Sequence, residues 1–212
     1  MEILKNFAVF EGCDGSGTTT QLNIFEDFCK LNHEHLKLPP VYRTFEPTNG
    51  SIGKLIRSIL RKEIVFCPET TAMLFAADRH EHLYGQNGIV ERCKRGELVI
   101  SDRYTPSSLV YQGITCGEEL PARLNQNFPY PELLLFFDID SHSAQNRISG
   151  RGQKEMFEYL DFQIQVRERY KALFPKLSAQ GVRVEIIDAS LPPDEIARQV
   201  WGIITKMPIF IG

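Results

Sequence analysis

The sequence lacks the features of a membrane protein, a disulfide-stapled scaffold or a repeat array. No apolar run approaches the length of a membrane span, and no internal repeat, low-complexity tract or block of like charge appears. Met1 to Phe10 has no signal-peptide hydrophobic region and already reads as a strand, so the cytoplasm is the default location. The five cysteines, Cys13, Cys29, Cys67, Cys93 and Cys116, are scattered. They offer no zinc-ligand spacing and read as reduced thiols rather than a disulfide frame. The histidines His33, His35, His80, His82 and His142 show no metal spacing, and none reads as catalytic. Strong net charge is absent too. Lys+Arg 24 against Asp+Glu 27 leaves a formal charge of -3, which gives no broad basic surface for nucleic acid. A phosphorylated small molecule would need only a local basic cluster.

What remains is an ordinary globular composition, 42% hydrophobic and 24% charged, over 212 residues, a length that suits one α/β domain across 1–212. Apolar runs bounded by turn residues alternate with helical periodicity. Phe7 to Glu11, Val41 to Phe45, Leu98 to Ser101, Leu133 to Ile139 and Val182 to Asp188 read as strands. A glycine-rich turn and a helix to about Leu31 follow the first strand. Ile52, Leu55, Ile56 and Ile59 form a helical stripe, and Pro68 fits the first turn of a helix to about Leu83. A terminal helix runs through Trp201 after a turn or N-cap region at Ser190 to Asp194. Strands separated by helices predict a five-stranded parallel sheet with helices on both faces. In such sheets ligands sit beyond the carboxyl ends of the strands.

The residues that follow the first strand are Gly12, Cys13, Asp14, Gly15, Ser16, Gly17, Thr18 and Thr19. They match the phosphate-loop pattern G-x-x-x-x-G-K-[ST] at every position but one, because Thr18 stands where the lysine belongs. The glycines allow a tight turn whose N–H groups face phosphate oxygens, and the helix dipole adds to the attraction. Thr19 would place a hydroxyl on Mg²⁺. The same residues could make a strand-to-helix turn and nothing more, but their context and glycine spacing favour a P-loop NTPase fold.

Two further groupings carry chemistry. Asp102 and Arg103 come directly after a strand, where a carboxylate can join a magnesium shell or take an acceptor proton and an arginine can clamp an anion. Phe75 and Arg79 share a helix face, so a ring and a guanidinium are available to stack on a base and donate to its carbonyl oxygen. Taken alone, that pair reads more readily as a core ring beside a surface charge, and the flanking Ala76-Ala77-Asp78 and the downstream Asp102-Arg103-Tyr104 reverse that preference.

Phe10 to Gln21, FEGCDGSGTTTQ, resembles the opening of thymidylate kinases, FEG-x-D-G-x-G-K-T-T-Q. TFEPTNG from Thr44, LFAADRHEH from Leu74, SDRYTPSSLVYQG from Ser101 and PELLLFFDID from Pro131 continue the resemblance over nearly the whole chain. The resemblance implies phosphoryl transfer from ATP to dTMP with Mg²⁺, and a homodimer packed through helices. It places Phe75 on thymine, Arg79 on its exocyclic oxygen, Ser108 at a base-contacting position and Tyr111 against the deoxyribose. Gln112 is a further pocket residue. Ser107 fits either the pocket or ordinary helix-start chemistry after Pro106. Asp14 matches the family's loop carboxylate, and Glu46 and Pro47 its acceptor-site pair. The arginine usual before Glu46 is Phe45 here, which leaves Arg43 and Arg57 as cations for the acceptor phosphate.

The glycine-rich, basic stretch Arg147 to Phe157 predicts a short closing lid at about 148–156. Gly15 occupies the position at which some family members carry a loop arginine. Other members carry lid arginines, an arrangement that Arg151 fits, with Arg147 and Lys154 beside it. The phosphate-binding expectation thus covers the loop from Gly12 through Thr20 together with Arg147, Arg151 and Lys154. Thr19 and Asp102 are the expected metal-facing pair, and Asp14, Asp102, Arg103 and Arg151 the catalytic set. A second reading is a nucleotide-binding relative with impaired catalysis, since Thr18 and Phe45 each remove a cation. A third is a kinase for another nucleoside monophosphate.

Overall fold

A computed structural model describes residues 2–148 and 156–211. Five parallel strands, β1 (Ile3–Gly12), β2 (Val41–Phe45), β3 (Leu98–Asp102), β4 (Tyr130–Asp138) and β5 (Arg183–Asp188), form one sheet in the order β2-β3-β1-β4-β5. The expected strands are all present, with ends shifted by a few residues. Phe7 pairs with Val99 of β3, and Ala8 pairs with Leu133 of β4. The register between β1 and β4 shifts between Leu4 and Ala8, where Asn6 takes a left-handed φ of 63°.

The apolar runs FAVF and LLLFF are unbroken because helices bury both sheet faces. Ala8, Phe10, Ile100, Leu135 and Phe137 pack against α1 (Thr18–Leu36) and α9 (Pro193–Ile204) through Leu22, Phe25, Ile196 and Val200. The opposite face is covered in two parts. Phe7, Val9 and Val99 meet α3 (Pro68–Tyr84) and α4 (Ile89–Lys94), while Leu134 and Phe136 meet α5 (Thr105–Cys116) and α8 (Leu160–Ala179). Shorter segments complete the described chain: α2 (Ser51–Leu60), α6 (Glu119–Asn125), α7 (Ser141–Ile148) and α10 (Pro208–Ile211). Among the described residues no helix is long and apolar enough to cross a membrane.

β1 lies between β3 and β4, so the chain runs to one side of β1 first and crosses to the other side later. That reversal opens a crevice at the carboxyl end of β1, the usual ligand position in an open parallel sheet. The expected lid falls almost wholly outside the described residues, and Arg151 and Lys154 with it.

Candidate active site

The segment between β1 and α1 makes a tight turn in which Ser16 N–H donates to Cys13 O at 3.0 Å. Gly15 and Gly17 have φ of 87° and 92°, a left-handed conformation that a side chain would strain. α1 begins at Thr18 with no side-chain cap bond on Gly17, so its first N–H groups are available to an anion. Thr18 is only 6% exposed yet lines the cleft, and it brings no charge. Burial pushes the Cys13 thiol up to about 12, which makes it an inert neighbour rather than a nucleophile.

The end of β3 faces this loop. Thr19 Oγ1 donates to Asp102 Oδ2 at 2.6 Å, bringing a hydroxyl and a carboxylate together at the mouth of the loop. Both are hard oxygen donors, and Mg²⁺ is commonly held by one or two such groups plus substrate phosphates, so the pair fits that ion. Among the described residues no cluster of three or more His, Cys, Asp or Glu could hold a metal alone.

Arg103 follows with φ of 76°, a rare conformation for a non-glycine residue. Its N–H donates to Phe10 O, and Ser101 Oγ donates to its carbonyl, which fixes the turn. The guanidinium donates to Gly12 O and to Asp14 Oδ1 at 2.8 Å. Asp14 Oδ2 accepts from Gln163 Nε2 at 2.9 Å, and Gln163 Oε1 accepts from Asp14 N–H at 3.1 Å. Desolvation raises the Asp14 pKa, and Arg103 opposes that rise. Tyr111 donates to the same Asp14 oxygen at 3.4 Å and presents its ring to Arg103.

Glu11, fully buried, organises the start of α5. It accepts from Tyr104 N–H at 3.0 Å, from Ser107 Oγ at 2.7 Å and from Tyr170 OH at 2.7 Å. A carboxylate at a helix N-terminus is favoured by the orphan N–H groups and the dipole. Burial raises the Glu11 pKa, while Arg103 and these donors pull it down.

The opposite wall centres on Arg79, 1% exposed. Its Nε and Nη2 donate to Glu46 Oε2 at 2.9 and 2.6 Å. Its Nη1 donates to Ser108 Oγ at 3.0 Å and to Asn125 Oδ1. A guanidinium has five N–H donors, so the wall occupies four and leaves one. Phe75, one turn earlier on α3, lines the same cleft with Ser107, Ser108, Tyr111 and Gln112. The cleft has a volume of about 890 Å³.

The sequence-predicted residues that are described converge on this cleft, with Gly12 just beneath its floor. Some stand differently from the simplest expectation. Arg57 donates to the carbonyls of Pro47 and Thr48 and to Asn49 Oδ1, so it braces the loop that carries Glu46 and Pro47. Arg43 donates to Asn23 and Glu26 on α1. The Ser107 hydroxyl bonds Glu11 and Tyr170, which is helix-start chemistry. Arg147 lines the cleft. Sequence reasoning did not single out Glu11, Asn125, Gln163 or Tyr170. Only Glu11 carried a local signal, a charge ending an apolar strand beside the loop.

A sequence family described as thymidylate kinase matches residues 10–200. A Treponema pallidum protein named as a thymidylate kinase is 44% identical over 83% of this chain and 82% of its own length. Two archaeal proteins carry the same name. The Pyrobaculum aerophilum protein is 39% identical over 96% of this chain and 98% of its own length. The Methanococcus maripaludis protein is 36% identical over 98% and 100%. With its loop, its strand-end Asp–Arg pair and its buried arginine wall converging on one cleft, the chain belongs to the thymidylate kinase family.

Proposed function

We propose that this protein transfers the γ-phosphoryl group of ATP to dTMP, forming dTDP and ADP. Besides family membership, the observation that carries the reading is Arg79, buried in the cleft wall with four of its five N–H donors engaged. The remaining donor matches a single carbonyl oxygen. Phe75 supplies a face for the pyrimidine, and Gln112 lines the same cleft. Tyr111 crowds the sugar and disfavours a 2′-hydroxyl. Ser108, Glu46 and Pro47 complete the acceptor half.

At the centre of the cleft, Arg103 and Asp14 hold each other where the acceptor phosphate meets the loop. Arg103 neutralises charge on the acceptor phosphate, and Asp14 orients the arginine and the sugar. The loop N–H groups from Gly15 to Thr20 bind the donor phosphates, and Leu191, Pro193 and Ile196 line the far end of the cleft for the donor base. Thr19 and Asp102 would hold Mg²⁺, which would supply neutralisation of phosphate charge. Such a transfer asks mainly for positioning and electrostatic stabilisation. Thr18 can give one neutral hydrogen bond to a phosphate, weaker than a lysine's. We assign the missing charge to Arg147, Arg151 and Lys154. The protein works as a cytoplasmic homodimer in this reading, for which the exposed Val65 and Met73 near α2 and α3 offer an apolar contact.

The test is product analysis with ATP, Mg²⁺ and a panel of monophosphates. dTMP should be the best acceptor, dUMP slower for lack of the methyl contact, and UMP poor. Faster turnover of UMP, CMP or AMP would overturn the assignment.

A further inference from the structure

The wall that holds Arg79 extends to a residue that does not line the cleft. His82 lies on α3 almost one turn beyond Arg79, with its side chain 10% exposed. Its Nδ1 is 3.1 Å from Glu46 Oε1, and its Nε2 is 2.6 Å from Thr44 Oγ1 on β2. A carboxylate paired with arginine accepts hydrogen bonds and donates none, so Nδ1 carries the ring proton. In the neutral ring Nε2 then accepts from the Thr44 hydroxyl. The chain of donation runs from Thr44 to His82 to Glu46.

The two oxygens of Glu46 therefore have different partners. Oε2 takes both Arg79 contacts, and Oε1 takes His82. The terminal torsion of a glutamate is broad, so its carboxylate turns readily unless both oxygens are held. With Oε1 released, the carboxylate could offer both oxygens to Arg79 side by side, the arrangement a guanidinium favours. The guanidinium would then turn, and the one N–H left over would turn with it.

We propose that His82 is a positioning residue for the acceptor site. By tying Glu46 Oε1 to β2 it sets the orientation of Arg79, and through Arg79 the affinity for the acceptor base, without touching the acceptor. This inference rests on the dTMP reading above and extends it to a residue outside the cleft.

Three substitutions separate the two His82 bonds. Asn places an amide N–H near the Nδ1 position and keeps the bond to Glu46. Gln reaches toward Thr44 instead, and Leu makes neither bond. His82→Leu and His82→Gln should raise the dTMP KM by about tenfold, the value of a hydrogen bond to a charged partner, while His82→Asn stays within about threefold of the parent. The ATP KM and the kcat at saturating dTMP should change by less than about twofold in all three. Calorimetric dTMP affinity without ATP should follow the KM series. Two results would overturn the proposal: dTMP affinity unchanged in His82→Leu, or parallel loss of melting temperature and kcat in all three with no selective effect on dTMP. If the folded parent prefers another monophosphate, the dTMP reading fails alone. The same series measured with that acceptor then decides the role of His82.

Discussion

The two walls of the cleft are built by different means. On the side we assign to the acceptor, buried side chains hold one another from several elements. Arg79 on α3 is fixed by Glu46 after β2, Ser108 on α5 and Asn125 on α6. On the side we assign to the donor, the loop before α1 and the first turn of α1 offer backbone N–H groups and a neutral Thr18, and the start of α9 adds the apolar Leu191, Pro193 and Ile196. Asp14, Arg103, Thr19 and Asp102 stand between them. A site that hydrogen-bonds a substrate rejects an analogue lacking the matching group by factors of roughly 10⁴–10⁵, whereas an apolar pocket discriminates by roughly 10–200. The contrast implies strict choice of acceptor and looser choice of donor base.

The largest effect should come from the shared centre. Asp102→Ala should lower kcat by roughly 10²–10³ at saturating substrates, as expected for the loss of one charge-stabilising group. A loss under about tenfold that raising Mg²⁺ does not alter would place the residue outside the reacting zone. Next is Arg79→Met, which should raise the dTMP KM by roughly 10–100-fold and leave the ATP KM nearly unchanged. It should also lower the melting temperature, because the buried Glu46 loses its guanidinium partner and keeps only the His82 contact. Equal shifts for both substrates would erase the distinction between the walls.

Thr18→Lys should alter kcat by less than about threefold if cations from Arg147 onward already serve the phosphates, since one charge would then be supplied twice. A large gain would mark the natural loop as crippled and favour the impaired relative. The smallest effect should be Ile196→Ala, which should raise the ATP KM by about threefold through lost apolar contact, with no change for dTMP.

Much of this arrangement was legible in the sequence, and the part that was not has a physical cause. Strands buried on both faces read as unbroken apolar runs, so β1, β3 and β4 were recognisable. The glycine spacing located the loop, and the strand ends located Asp102 and Arg103. The short helices α4 and α6 carry too few residues for periodicity to speak. Asn125 and Gln163 were illegible because their work depends on partners 46 and 149 residues away in sequence. His82 was read as idle because it lacks metal spacing, while its bonds to Thr44 and Glu46 exist only once α3 packs on β2. Arg43 and Arg57 line the cleft that their sequence positions pointed to, and what the sequence did not show is their local work, which engages Asn23 and Glu26 and the Pro47 and Thr48 carbonyls.

The contrast between the walls is tested most directly by one specificity matrix. kcat/KM would be measured for dTMP, dUMP, UMP and dCMP with ATP as donor, and for ATP, dATP, GTP and CTP with dTMP as acceptor. A buried hydrogen-bonding wall facing an apolar one predicts that the acceptor values spread over at least about a hundredfold more than the donor values, with dTMP the best acceptor. A donor spread equal to or wider than the acceptor spread would contradict the account.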